Sequence, residues 1–80
     1  MLNPNLTKTD AGWLLNTFQP MRHGRIAGNT ISMFVKATNL ISNKNTTVPS
    51  CGCEYKTIAA IANSYFDQYK SEIEKLYGGV

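Results

Sequence analysis

Residues 53–77 read CEYKTIAAIANSYFDQYKSEIEKLY, and their reading decides the fold. Ile58, Ala62, Tyr65, Tyr69, Ile73 and Leu76 recur at spacings of 4, 3, 4, 4 and 3, which line one face of an α-helix. Ile61 and Phe66 broaden the early part of that stripe. Glu72 and Lys75, three residues apart, can pair across the helix surface for a few tenths of a kcal/mol. Gly78 and Gly79 stop the pattern, since glycine takes the backbone conformation that ends helices. The prediction is one long helix over 53–77.

Upstream, TISMFVKATNLIS at 30–42 repeats the helical period more briefly. Ile31, Phe34, Val35, Thr38 and Ile41 share a face, and Met33, Ala37 and Leu40 widen it. The β-branched and aromatic residues of TISMFVK also suit a strand. Thirteen residues without a breaker exceed an ordinary strand, so the segment is expected to be a helix over 29–43, capped by Asn29 or Thr30. Between it and the long helix, Asn43–Pro49 reads as a loop.

Before both lies DAGWLLNTFQ, with Leu14, Leu15 and Phe18 at helical spacing beside Trp13. Thr9 or Asp10 is the expected N-cap, and Gly12 weakens the helix by about 1 kcal/mol relative to Ala. Pro20 is expected to end it, because the residue before a proline is pushed out of helical backbone. That gives a helix over 9–19, preceded by an irregular lead over 1–8. The fold class is all-α: a single small three-helix domain with a long C-terminal helix. Trp13, Leu14, Phe18, Ile31, Phe34, Val35, Ile58, Ala62 and Tyr65 are the expected core.

Bulk composition bounds the function. A chain of 80 residues buries only about 60% of its unfolded surface, and chains this small often lean on a metal, a disulfide or a partner. Charged residues are sparse, 16% against about 25% on average. Part of the surface is therefore expected to be covered in use. The net charge of +3 is mild and the lysines are scattered, unlike the one-faced basic patch of most nucleic-acid binders. No run of 18 apolar residues is present to span a membrane. The N-terminal MLNPNLTKTD carries no basic patch followed by an apolar run. Two cysteines without a secretory signal point to a reducing compartment.

The chemistry-bearing residues are few. Both cysteines lie in Pro49-Ser50-Cys51-Gly52-Cys53-Glu54. A structural zinc needs four nitrogen or sulfur ligands, and one chain offers Cys51, Cys53 and the distant His23. Only an oligomer pooling C-x-C pairs completes such a site, so no metal and no cofactor are expected. A disulfide between residues two apart closes a tight ring, and thioredoxin-type dithiols use C-x-x-C beside βαβ units. The favoured reading is a helix start: Ser50 supplies the capping hydroxyl, Gly52 the tight turn, and Glu54 the negative charge that suits a helix N-terminus. The cysteines would then pack as small apolar plugs.

His23 has no orienting carboxylate or nucleophile in a recognisable motif. Arg22, His23 and Arg25, followed by Gly28-Asn29-Thr30, could instead contact a phosphate or nucleic acid, although the glycine-rich P-loop pattern is absent. Tyrosines could stack on bases. Three of the four fall on or near the long helix's apolar stripe, which favours core or interface. The end of that helix extends past what a ten-residue first helix can cover. Tyr65, Tyr69, Ile73, Leu76 and Tyr77 are therefore the expected protein interface.

RIAGNTISMFVK, VPSCGCEYKTIA and SYFDQY, within roughly residues 25–70, together resemble small cysteine-containing accessory and structural proteins of tailed bacteriophages. The resemblance carries no residue role with it. It implies a viral accessory or virion component, located in the host cytoplasm or the virion. The expected function is a non-catalytic assembly or adaptor protein acting through a protein partner or as a homo-oligomer, without a membrane. The alternative is a small nucleic-acid-binding protein that sets the basic turn and a helix against phosphates.

Overall fold

The computed structural model describes residues 2–78. Helices account for 69% of the chain, without strands among the described residues. The first helical rod consists of α1 (Lys8–Trp13), a π-helical segment (Leu14–Phe18) and α2 (Gln19–Met21). The second is α3 (Ile31–Ser42). The third begins with a 3-10 turn (Gly52–Glu54) and continues as α4 (Tyr55–Gly78). The all-α architecture with a long last helix is as the periodicity predicts.

The first rod starts earlier and ends later than its sequence suggests. Thr7, not Thr9 or Asp10, is the N-cap, and its Oγ1 accepts the Asp10 backbone N–H at 3.1 Å. Asp10 then stands in the first turn, where its charge suits the helix dipole. Pro20 does not end the helix: Gln19 keeps helical backbone and the rod runs on to Met21. A proline removes an N–H and crowds the carbonyl four residues back. The wide turn just before it, where the Gln19 N–H reaches the Leu14 carbonyl, reorganises those carbonyls ahead of Pro20.

α3 ends at Asn43, whose left-handed backbone (φ 57°) turns the chain out. Its last carbonyls would be left without partners. The N-terminal lead supplies them: the Asn3 backbone N–H donates to the Ile41 carbonyl (2.8 Å) and Asn3 Nδ2 to that of Leu40 (2.9 Å). The lead is thus part of the domain, and Leu6 within it is buried in the core. Thr30 stands at the N-cap of α3, but its hydroxyl turns back into the preceding loop, accepting the Ala27 N–H at 2.9 Å.

Phe18 is the centre of the core. Its ring meets Phe34 and Phe66 edge-on, at centroid distances of 5.6 and 5.5 Å, an arrangement that suits aromatic quadrupoles. Leu6, Ala11, Leu14, Ile31, Ala37, Ile41, Ala59, Ala62 and Ile73 complete the buried cluster. Trp13, Ile58 and Tyr65, expected inside, are only partly buried against it. On α4 the buried face runs through Ala59, Ala62, Phe66 and Ile73. It keeps Ala62 and Ile73 of the stripe that the sequence suggests but takes Ala59 and Phe66 in place of Ile58 and Tyr65, with the Phe66 ring against Phe18.

Candidate functional site

Two surfaces of α4 carry the residues singled out from the sequence, and neighbouring elements treat them differently. Towards its C-terminus, α4 lies under the first rod. Gly12 is buried there, and a β-carbon on it would come within 2.7 Å of Tyr77 Cε1. The Tyr77 ring thus packs over Gly12, in space that a β-carbon there would share. Asn16 Nδ2 donates to the Tyr77 hydroxyl at 3.1 Å. At the other end of the rod, Arg22 joins Asn63 and Asp67. Gly12 opposite Tyr77, with Arg22 opposite Asn63, makes the rod antiparallel to α4.

This arrangement corrects two expectations. Ile73, placed at a protein interface by the sequence, is fully buried in the domain's own core. The first rod is longer than a ten-residue helix and lies along this half of α4, so Ile73 is covered within the chain. Arg22 is likewise not a free phosphate contact, being 6% exposed. Its Nε–H donates to Asn63 Oδ1 (2.9 Å), its Nη2 pairs with Asp67 Oδ1 (2.6 Å), and Asn63 Nδ2 donates back to the Arg22 carbonyl (3.2 Å). The guanidinium lies over the Phe66 ring, 4.7 Å from its centroid. These contacts tie the first rod to α4. His23 and Arg25 remain exposed in the turn that follows.

Towards its N-terminus, α4 presents a second stripe, Ile58, Ile61 and Tyr65, at spacings of 3 and 4. Ile58 and Tyr65 are half-buried, and Ile61 is 41% exposed. The α3–α4 loop runs alongside. It is held by a two-way clamp, in which Asn39 Nδ2 donates to the Thr46 carbonyl and the Thr46 N–H donates to Asn39 Oδ1, both at 2.9 Å. Lys44 Nζ donates to the Tyr65 hydroxyl at 2.9 Å and lies 5.2 Å from the ring centroid. Thr38, Lys44, Thr46, Ile58 and Ile61 line a cavity of about 70 Å³. It adjoins an open depression along Ala60, Ile61, Ser64 and Tyr65. Val48 in the loop is 51% exposed. This groove is apolar at its base and carries one cation at its rim.

Of the expected interface residues, Tyr65 thus borders the groove. Tyr69 is half-buried with its hydroxyl accepting from Gln68 Nε2 (3.3 Å). Leu76 and Tyr77 are exposed at the far end of α4. Ile61 was not among the expected interface residues. The signal for Ile61 was its i, i+3, i+7 register with Ile58 and Tyr65.

The cysteines are not buried plugs. Residues 50–54 are all exposed, because cover by the other elements begins only at Tyr55. Cys51, rather than Ser50, occupies the N-cap position of the 3-10 turn, and its Sγ accepts the Cys53 N–H at 3.3 Å. Cys51 and Cys53 are joined in a disulfide, with Cα atoms 5.3 Å apart. Among the described residues no group of three or more His, Cys, Asp or Glu is placed to hold a metal ion, and no helix is long and apolar enough to cross a membrane.

The site and fold together define a small all-α three-helix domain with an apolar groove on its longest helix. A scan against protein-family models, a search of curated proteins and a search of solved structures each returned no match.

Proposed function

We propose that this is a non-catalytic assembly or adaptor protein that binds another protein surface through the Ile58–Ile61–Tyr65 face of α4. The observation that carries the reading is the exposure of Ile61 (41%) on the helix face that it shares with the half-buried Ile58 and Tyr65. Apolar area left in water is unfavourable by roughly 25 cal/mol per Å², so a partner that covers this face gains its burial. Tyrosine at the edge suits an interface, with a large apolar body and a polar tip. A role as a phage accessory or virion component is compatible with this and rests on the resemblance alone.

A second copy of the chain is the partner that can be tested directly. A helical stripe can pack against its own mate across a two-fold axis. Sedimentation velocity over a concentration series, with wild type and Ile61→Asp, is the test. The wild type is expected to associate, and the variant to stay monomeric with an unchanged circular dichroism spectrum. A wild type that remains monomeric up to millimolar concentration contradicts self-association by this face. The nucleic-acid alternative retains His23 and Arg25 but loses Arg22, which is committed to Asn63 and Asp67. Binding to phosphates would weaken steeply with salt, whereas apolar association would not.

A further inference from the structure

We propose that Cys51 and Cys53 form a reversible two-electron thiol–disulfide couple, a site that exchanges with thiols and disulfides reaching the surface. The site is independent of the α4 groove. Three observations carry it. The sulfurs are bonded to each other across a single glycine. Every residue from Ser50 to Glu54 is exposed, so an incoming thiol meets no core and no lid. The pair also stands outside the packed core, whose first member on this helix is Ala59.

A disulfide stabilises a fold mainly by restricting the unfolded chain, and the effect grows with the length of loop that it closes. A loop from Cys51 to Cys53 restricts almost nothing. The bond is therefore poorly suited to be a staple, and opening it leaves the three helices packed. That combination of exposure, pairing and mechanical independence is what a couple needs in order to cycle while its protein stays folded.

The two sulfurs are not equivalent. Cys51 occupies the N-cap position, and its Sγ accepts the Cys53 N–H at 3.3 Å. Behind that turn the helix continues to Gly78, so its N-terminal N–H groups favour a thiolate on Cys51. Glu54 opposes this, but it is exposed and acts through solvent. Cys51 is therefore the attacking sulfur of the reduced form. With a disulfide RSSR, the Cys51 thiolate attacks one sulfur and forms a mixed disulfide, and one RS⁻ leaves. The Cys53 thiolate, having given its proton to solvent, then attacks Cys51 Sγ, closes the ring and expels the second RS⁻. Two electrons pass from the protein dithiol to RSSR, which becomes two thiols. The reverse reaction oxidises a partner's two thiols.

The experiment uses the full chain and glutathione. The protein is equilibrated in buffers of varied glutathione to glutathione-disulfide ratio, quenched by alkylation and weighed by mass spectrometry. The expected result is one reversible transition between unalkylated and doubly alkylated protein, with the helical circular dichroism spectrum unchanged throughout. Cys53→Ser, which lacks the resolving thiol, is expected to accumulate the glutathione adduct at least several-fold faster than Cys51→Ser. Exchange measured at equal thiol concentration with a reduced two-cysteine peptide in place of glutathione distinguishes a protein dithiol from a small thiol as the preferred partner. Cysteines that stay reduced in glutathione disulfide overturn the proposal, as does a bond that glutathione cannot reopen. Loss of helical signal on reduction overturns the claim of independence. Equal or faster trapping in Cys51→Ser overturns the assignment of the attacking sulfur.

Discussion

The two halves of α4 look alike in sequence and differ in what lies over them. Around Asn63–Tyr77 the helix is covered by the first rod. The Tyr77 ring packs over Gly12, Arg22 bridges to Asn63 and Asp67, and Ile73 is enclosed. Around Tyr55–Ile61 its outer flank meets Thr38 of α3 and Lys44 and Thr46 of the α3–α4 loop, and Ile61 is left in contact with water. Hydrophobic period identifies the helix in both halves. It does not say which apolar residue finds a neighbour, because that depends on where a second helix is laid.

The largest effect should come from a charge in the covered half. Ile73→Asp puts a carboxylate at a fully buried position of the hydrophobic core. Lost burial plus desolvation should cost about 4 kcal/mol or more, close to the whole stability of a small domain. Thermal melting followed by circular dichroism should find the variant largely unfolded at 25 °C. A folded Ile73→Asp would mean that the first rod does not cover this residue.

Arg22→Ala comes next. It removes two hydrogen bonds, an ion pair and the packing of the guanidinium on Phe66. Asp67 is 65% exposed, so the ion pair itself adds little. The hydrogen bonds and packing should bring the loss to about 2–3 kcal/mol. In a domain of this size that lowers Tm by roughly 10–20 °C. Arg25→Ala, three residues on and exposed, should change stability by no more than about 0.5 kcal/mol. Equal effects from the two arginines would remove the distinction between a tie and a solvated charge.

The smallest effect on stability should come from the open half. Ile61→Asp should cost about 1 kcal/mol or less, since the side chain already meets water. Its consequence belongs to association. The pair Ile61→Asp and Ile73→Asp thus sharpens the contrast, because the same substitution on one helix should act on partners in one case and on folding in the other.

The three helices, the 43–49 loop and most of the core were legible, because Phe18, Phe34 and Ile31 sit on periods that any packing of these helices would bury. Four features were not. Pro20 reads as a stop, and only the π-helical turn before it allows the rod to reach Met21 and bring Arg22 over Phe66. Arg22 and Arg25 are indistinguishable in a basic turn, because one contact, with residues about forty positions away, separates them. Phe66 and Tyr65 are adjacent, and the choice of which one faces inward is made by Phe18. The cysteines at the head of α4 read as buried plugs, yet cover begins only past them.

The most direct test of the contrast along α4 is the accessibility of two isoleucine methyl groups. With methyl-labelled protein, kept dilute enough to be monomeric, a soluble gadolinium chelate broadens NMR signals from side chains that meet water. The Ile61 methyl signal should be strongly attenuated and the Ile73 signal nearly unaffected. Attenuation of Ile73 with protection of Ile61 would contradict the account, placing the open face at the C-terminal end of the helix and the covered one at its start.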